Sequence, residues 1–553
     1  MKNIADLHIH PSLKPYQMKG YVADNQVDMW REYQENKDYL KKIPSLIRGA
    51  IKETAKYSQA NLDKLMEAKV KTAFFTIYAI ERGMFDLRSK YRKKNIQRCL
   101  LDLILKPKHY PYLGAAVAGM PLEKVEKILN AVNNNEGINY FEKETYDEYQ
   151  FLVRESSKTS PTGKKFKIVS NYQELKSIDT DTIGAILSLE GAHSLGNIPK
   201  HEYFYKAWNE LMPHEQANIR SDYLLNVNRL KGTAEDRFSF DKKHAPFLIT
   251  LSHMFNNFLT GHAKTFGHGA LILPGTADLF DQETAMNDGI TSLGFEVIEQ
   301  LLSRENGRRI LLDVKHLSVA SRNQLYHLIS QNYLSKGDMV PLIGSHVAVN
   351  GFEHNDLSRK DNPALNNNEY FNRWSVNFSN EDIRKVYESG GILGLVPHEG
   401  TMPGPAFKAR LKELSSKGKQ EAYLKLFWSN VFQIVYAIGD KKAWQIICLG
   451  TDFDGLMDPF NSYPDATYLP KMASDMAAFI AQTPELVIYK NNKQSKIKRQ
   501  EIDQLMFGYN SAELVAMIFT KNLDQFLSKY FTDEYLEEGV VTMEGFEDLK
   551  FKV

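Results

Sequence analysis

Eight short apolar runs recur along the chain and constrain its fold more than any other feature. Each is rich in Ile, Leu and Val and is bounded by polar or glycine-containing segments. The runs are Ala5–His10, Thr72–Ala79, Gly184–Glu190, Phe247–His253, Arg309–His316, Val340–His346, Gly391–Pro397 and Ile446–Asp452. Continuous apolar runs are typical of strands buried on both faces, as in a parallel sheet. Helix-like periodicity between several of them, as in 295–302, completes the pattern of an eight-stranded α/β barrel, (β/α)8.

The ends of these runs predict where the chemistry lies. Seven of the eight runs end in, or just before, an ionisable residue. These residues are His8, His10, Glu190, His253, His316, His346, His398 and Asp452. The C-terminal ends of the strands carry the active site in α/β barrels, and randomly scattered histidines would not fall there so regularly. The pattern therefore predicts an ionisable cluster at the mouth of the barrel.

The first run ends in a His-x-His pair, His8 and His10. Residues i and i+2 of a strand point the same way, so both imidazoles are expected to face one ion. Glu190, at the end of a buried strand, needs a partner for its charge, and one metal or two bridged metals would supply it. Surface histidines and a structural ion pair are the alternatives for these residues.

Two further strand-end histidines, His316 and His346, extend this set to the nitrogen and oxygen donors that zinc prefers. Taken singly, each would more often be a core or loop histidine than a ligand. A carboxylate beside a metal can orient water and accept its proton, which is the expected role of Asp452. Asp454, which precedes a glycine, is expected to stabilise its own loop as an Asx-turn.

Six segments, in the same order along the chain, resemble the membrane (renal) dipeptidase family of zinc peptidases. They are Leu187–Gly196, Thr250–His253, Leu312–Ser318, Gly344–His346, Gly450–Gly455 and Gly508–Asn510. The first is similar to the family's Glu-Gly-Gly-His-Ser-Leu segment, and the fifth to its Gly-Ser-Asp-Phe-Asp-Gly segment. Long insertions separate the matches, so the chain looks like a divergent member of this group of amidohydrolase-like barrels.

The resemblance implies a centre with two zinc ions per subunit. The metal-site residues would be His8, His10, Glu190, His316, His346 and Asp452. Glu190 would bridge the ions, while Asp452 would also handle the proton. His253 would contact the substrate and stabilise the tetrahedral intermediate. His193, despite its place in the motif, is expected to support the site rather than to ligate metal.

Two departures from the family pattern bear on this expectation. His10 stands where the family has aspartate, which removes a negative charge and leaves open whether one metal or two are bound. The family's carboxylate-binding arginine corresponds to Val376. Arg373 and Arg359 lie nearby, and the bidentate geometry of arginine would let either bind the substrate's carboxylate instead.

These features predict a zinc-dependent hydrolase that cleaves a small amide, above all a dipeptide, by attack of a metal-bound hydroxide. Zinc lowers the pKa of bound water from about 15.7 to roughly 7. The first alternative is an amidohydrolase acting on N-acyl amino acids, cyclic amides or lactones. The second is a non-catalytic metal-binding scaffold that binds a partner through its insertions.

Composition and chain length bear on the protein's partners, its cellular compartment and its domain organisation. The chain has 553 residues, 43% of them hydrophobic, and a formal net charge of +1, which gives no indication of a nucleic-acid partner. Two cysteines, Cys99 and Cys448, exclude a disulfide scaffold and favour a reducing compartment. With no signal peptide or apolar span, a cytoplasmic protein without membrane contact is expected, and the family resemblance suggests a homodimer. Residues 1–553 are predicted to form one elaborated barrel domain with insertions at about 15–68, 80–165, 196–245 and 400–440.

Overall fold

The computed structural model describes residues 3–34, 36–45, 48, 58–87, 99, 102–265, 279–358 and 369–541. Within these ranges the strands are β1 (Ile4–Ile9), β2 (Val70–Ile77), β3 (Ile138–Asn139), β4 (Lys165–Ile168), β5 (Thr182–Glu190), β6 (Asn197–Ile198), β7 (Leu248–Thr250), β8 (Leu311–Asp313), β9 (Ile343–Val347), β10 (Ile392–Leu395), β11 (Ile447–Leu449), β12 (Glu485–Lys490) and β13 (Lys493–Lys498). Each predicted run overlaps one strand of the central sheet.

The central sheet is a closed ring of parallel strands. Its order is β1, β2, β5, β7, β8, β9, β10, β11, and β4 pairs with the beginning of β5 outside this path. The chain after β11 returns to β1: the Asp452 N–H donates to the His8 carbonyl at 2.8 Å, and the His10 N–H donates to the Phe453 carbonyl at 2.9 Å. The (β/α)8 barrel predicted from the sequence is confirmed.

Burial explains why these runs form strands without alternating polarity. All six residues of β1 and all nine of β5 are buried, because the barrel interior covers one face and the surrounding helices cover the other. Trp428 and Trp444 are fully buried within the same apolar core. In a strand enclosed on both faces, an apolar side chain at every position stabilises the fold. The sequence of such a strand is therefore a continuous apolar run.

The α-helices surround the ring and fill the stretches between strands. They are Leu13–Met18, Lys37–Lys41, Leu62–Glu67, Tyr110–Ala118, Leu122–Asn133, Tyr146–Ser156, Tyr172–Ser177, Pro213–Leu230, Ser292–Leu302, Val319–Asn332, Asn380–Glu388, Pro405–Leu411, Ser416–Ile438, Leu469–Gln482, Arg499–Leu505, Ser511–Ala516 and Asn522–Tyr530. Side chains cap the N-termini of several of these helices. Thr291 accepts a hydrogen bond from the Gly294 N–H at the start of Ser292–Leu302, and Asn510 accepts one from the Glu513 N–H at the start of Ser511–Ala516. In the described part of the chain, no helix combines the length and apolarity needed to cross a membrane.

Candidate metal centre

Six side chains predicted from strand ends meet at the C-terminal mouth of the barrel. They form two groups that share Glu190, one with His8, His10 and Asp452 and the other with His316 and His346. Within each group the potential ligand atoms lie within 4.8 Å of one another. The five imidazoles and carboxylates other than Asp452 are almost fully buried. The convergence predicted for these six residues is therefore present in the fold.

Glu190, the last residue of β5, lies between the two groups. Its Oε2 is 3.2 Å from His10 Nε2, whereas its Oε1 is 3.4 Å from His346 Nε2 and 3.8 Å from His316 Nε2. Oε1 also lies 3.5 Å from His8 Nε2. One carboxylate thus presents an oxygen to each group, which is the arrangement a bridging ligand requires.

The imidazoles face one another through the nitrogens that would ligate metal. His8 Nε2 and His10 Nε2 are 3.1 Å apart, and His316 Nε2 and His346 Nε2 are 3.0 Å apart. Where neither nitrogen of a pair carries a hydrogen, the two lone pairs repel at this distance, and a cation between them would remove the repulsion. The donor set, four imidazole nitrogens and two carboxylates in a buried pocket, is chemically suited to a divalent metal ion.

Burial and neighbouring charges shift the pKa values in this pocket in different directions. Burial opposes protonation of His10, but the Asp452 and Glu190 carboxylates outweigh it and raise the pKa of His10 to about 10. For Glu190, the cost of burial is outweighed by His253 and His8, and its pKa lies well below the usual range. Burial raises the pKa of Asp452. The pKa values of the two carboxylates, Glu190 and Asp452, are therefore shifted in opposite directions.

Unusual backbone geometry turns two of the side chains toward the pocket. His316 has a φ of +65° and Asp452 a φ of +56°, in the left-handed region that non-glycine residues rarely occupy. Each follows the last residue of its strand, β8 or β11, by three positions. Strain of this kind clusters at functional sites, where the surrounding structure holds it in place.

A buried hydrogen-bond chain orients His346. The Ser345 hydroxyl is 2.6 Å from Asp313 Oδ2 and 2.8 Å from His346 Nδ1. Because the carboxylate can only accept, the hydroxyl donates to Asp313 and accepts from the Nδ1–H of His346. The Thr250 hydroxyl donates to the same Asp313 oxygen at 2.7 Å. His346 is thereby held in the tautomer that leaves Nε2 open toward the other ligands.

His253 lies beside the two ligand groups, and its contact with substrate stays a prediction. Its Nε2 is 3.7 Å from Glu190 Oε1, and its Nδ1 is 2.5 Å from Glu81 Oε2. Sequence reasoning missed Glu81. The sequence does contain an indication of its role. Thr72–Ala79 is the one apolar run without an ionisable residue at its end, and Glu81 follows that run by two residues.

His193 supports the site without joining the ligand groups. Its Nε2 is 2.7 Å from the Ala79 carbonyl oxygen, and its Nδ1 has no hydrogen-bond partner among the described residues. Gly191 makes this position possible, since it has a φ of +82° and a Cβ there would lie 2.3 Å from His193 Nδ1. The expected supporting role of His193 fits this placement.

The other strand-end and loop residues lie outside the ligand groups. His398 Nδ1 contacts the Thr401 hydroxyl at 2.6 Å. Asp454 does stabilise its loop, but its carboxylate accepts the N–H groups of Gln59 and Ala60 instead of forming an Asx-turn. The expectation was wrong in this detail because the partner is 395 residues away in sequence and invisible to local pattern.

Of the two predicted carboxylate-binding arginines, Arg373 lies within the described residues. Arg373 is buried, with its guanidinium carbon 3.4 Å from the centroid of the Phe352 ring and 4.4 Å from that of Tyr489. Its Nε and Nη1 have no hydrogen-bond partner in the described ranges. Arg359 lies outside the described residues. The substrate-binding role of both arginines stays a prediction.

No family model and no curated protein matches the chain. Among solved structures it is similar to a metallopeptidase from Rhodobacter sphaeroides, liganded with a phosphinate mimic of the dipeptide L-Ala-D-Ala, at 14% identity and a TM-score of 0.41, covering 95% of this chain and 99% of that one. Dipeptidase AC, a metallopeptidase of family M19, has 14% identity and a TM-score of 0.44, with 95% and 98% covered. The probable dipeptidase PvdM from Pseudomonas aeruginosa has 12% identity and a TM-score of 0.40, with 87% and 90% covered. At such identities the function of this chain has to be inferred from its own site residues.

Proposed function

We propose that this chain is a metal-dependent hydrolase that holds zinc and cleaves a small amide bond, with dipeptides as its first substrate class. The observation that carries the proposal is the convergence of four imidazoles and two carboxylates, from five different strand ends, on one buried pocket. An uncompensated pocket of this kind would be costly, because buried polar and charged groups need partners. Divalent cations are the partners that such a donor set selects.

The two ligand groups assign the residues. His8, His10 and Asp452 would hold one cation, and His316 and His346 the other, with Glu190 shared between them. His10 in place of the family's aspartate lowers the negative charge of the first group. We therefore expect the group of His316 and His346 to differ in affinity from the group of His8 and His10.

A bound zinc would supply Lewis acidity, which polarises a carbonyl and makes water acidic near neutral pH. Asp452 is the residue suited to accept the proton, because its side chain is 14% exposed, the most open of the cluster. His253 directs Nε2 toward the cluster while Nδ1 is occupied by Glu81. Although burial opposes protonation of His253, Glu190 and Glu81 raise its pKa. The doubly protonated ring can donate from Nδ1 to Glu81 and from Nε2 to the substrate's carbonyl oxygen.

The dipeptide assignment is supported by the ordered motifs that resemble the membrane dipeptidases. One observation favours the alternative, hydrolysis of N-acyl amino acids or cyclic amides. In the part of the chain that the structure describes, no arginine forms an ion pair or hydrogen bond with the six cluster residues, and Arg373 is stacked between Phe352 and Tyr489. A substrate without a free terminal carboxylate would not need that contact.

The experiment combines metal removal with a substrate panel. The purified protein is dialysed against a chelator, its metal content is measured, and hydrolysis of dipeptides, N-acyl amino acids and cyclic amides is assayed before and after zinc is restored. We expect activity to fall with the metal and to return with zinc. Cleavage of acylated amines with dipeptides left intact would select the alternative. Activity that is indifferent to the chelator would contradict the metal-dependent mechanism.

A further inference from the structure

We propose that Glu81 is a positioning residue for catalysis, which fixes the tautomer and orientation of His253 so that Nε2 faces the substrate's carbonyl. The inference rests on the proposed function, because it gives His253 a reacting group to serve. Glu81 lies in the connection after β2 and is 3% exposed. It contacts none of the six ligand residues by hydrogen bond or ion pair within the described chain, so its role is not that of a metal ligand.

Glu81 holds both the ring and the backbone of the His253 segment. Its Oε2 is 2.5 Å from His253 Nδ1. Its Oε1 accepts the N–H groups of the next two residues, Met254 at 3.3 Å and Phe255 at 3.1 Å. The Glu81 carboxylate therefore accepts three hydrogen bonds from consecutive residues. These contacts restrict the motion of both the carboxylate and the His253 segment.

This contact selects the protonation pattern of the imidazole. An ionised carboxylate can only accept, so the hydrogen must be on Nδ1 of His253. Nε2 is then the nitrogen on the cluster side, 3.7 Å from Glu190 Oε1. When Nε2 also carries a proton, the ring is an imidazolium that can donate from Nε2 to the developing oxyanion, and the Glu81 charge opposite Nδ1 stabilises this form.

Glu81 hydrogen-bonds the ring of His253 but not that of the neighbouring histidine, His193. His193 packs nearby, but its Nδ1 is 3.9 Å from Glu81 Oε1, too far for a hydrogen bond. The Tyr78 ring lies edge-on to His253, with centroids 4.9 Å apart, and limits rotation of the imidazole from the side. Without Glu81, no other described group contacts His253 Nδ1 to keep the ring in this orientation.

The test is a double-mutant cycle on the metal-loaded protein. Glu81→Gln keeps the size of the side chain and one acceptor oxygen but removes the charge. We expect kcat to fall about 10- to 100-fold with little change in KM, the range typical for residues that orient a functional group. In a His253→Ala background the same substitution should change kcat by no more than about 2-fold, because its effect passes through the missing ring.

The matched control is a carboxylate–histidine pair outside the cluster. Asp86 Oδ2 is 2.9 Å from His201 Nε2. Asp86→Asn should leave kcat unchanged in both the wild-type and the His253→Ala backgrounds. Equal losses from Glu81→Gln in the two backgrounds would overturn the proposal, since Glu81 would then act independently of His253.

A measurement without turnover separates this inference from the proposed function. The ¹⁵N imidazole shifts of His253, assigned by comparison with His253→Ala, report which nitrogen is protonated in the wild-type protein itself. Protonated Nδ1 in the wild type, with a shifted or averaged signal in Glu81→Gln, supports the proposal. An Nε2–H tautomer with bare Nδ1 overturns it, whether or not any tested substrate is cleaved and whether or not the variant folds.

Discussion

Asp6 and Thr451, 445 residues apart in the chain, join the first and last strands of the barrel. The Thr451 N–H donates to Asp6 Oδ1 at 3.0 Å, and its hydroxyl donates to Oδ2 at 2.6 Å. Asp6 Oδ1 also accepts the N–H of His8 at 3.1 Å. One buried carboxylate therefore both closes the ring and fixes His8 relative to Asp452.

Asp6→Ala should destabilise the protein strongly, because it leaves three donors without their acceptor in a buried position. We expect a loss of about 3 kcal/mol in the free energy of unfolding, measured by urea denaturation. Asp38, whose side chain is 81% exposed, provides the control, and its alanine variant should change stability by less than about 0.5 kcal/mol. Similar values for the two variants would contradict the closing role of Asp6.

Glu190→Ala should abolish both activity and tight metal binding, because this carboxylate is shared by the two ligand groups. Metal content after gel filtration, determined by mass spectrometry, is the measurement. Glu155, a buried carboxylate that pairs with Arg154 and Lys158, is the matched control. A Glu155→Ala protein is expected to keep its metal. Full metal occupancy in Glu190→Ala would rule out the bridging assignment.

Asp452→Asn should retain metal but lose turnover, since the amide keeps the shape of the side chain but cannot accept the proton. We expect kcat to fall about 100- to 10,000-fold, the usual contribution of a general base. Parallel metal analysis must show occupancy close to that of the wild type. A nearly normal rate in this variant would show that another group takes the proton.

Ser345→Ala should weaken metal binding without removing a ligand. The change frees His346 Nδ1 from the Ser345–Asp313 chain, and loss of such orienting contacts typically costs about 10- to 100-fold in metal affinity. Competition with a chromogenic chelator measures this. Ser429, a buried serine that accepts the Val487 N–H, is the control, because Ser429→Ala should leave the affinity unchanged. Equal affinities for both variants would argue against the orienting role.

Glu148 should make stability fall as pH rises. Burial raises the pKa of this carboxyl to about 7, although the Ser12 hydroxyl and the Tyr78 N–H partly oppose the shift. A folded-state pKa above the unfolded value means that protonation stabilises the fold. The contribution is full below about pH 4.5 and is lost as pH rises through about 7.

The measurement is urea denaturation of the wild type and of Glu148→Gln at pH 5 and pH 8. The wild type should lose roughly 2 to 3 kcal/mol more than the variant across this interval, because glutamine cannot ionise. Other titrating groups contribute equally to both proteins and cancel in the difference. Parallel pH dependence in the two proteins would show that folding does not raise the pKa of Glu148 above its unfolded value.

The strands of the barrel and the residues that gather at their C-terminal ends could be predicted from the sequence. Each apolar run, for example Gly184–Glu190, contains a strand of the barrel because burial on both faces imposes a local composition. The ligand residues were predictable for a related reason. Parallel strands bring their C-terminal ends to one face, so His8 and His346 must lie near each other once the ring closes.

What the sequence by itself determined, then, is the set of strands and the donor residues at their ends, because both depend on residue type and position within a single element. Only the tertiary structure decided which partners orient those donors: Glu81 for His253, Asp6 for the first strand, and stacking on Phe352 for Arg373. These contacts join residues far apart in sequence. They depend on how the closed ring sets its loops against one another, which no local pattern encodes.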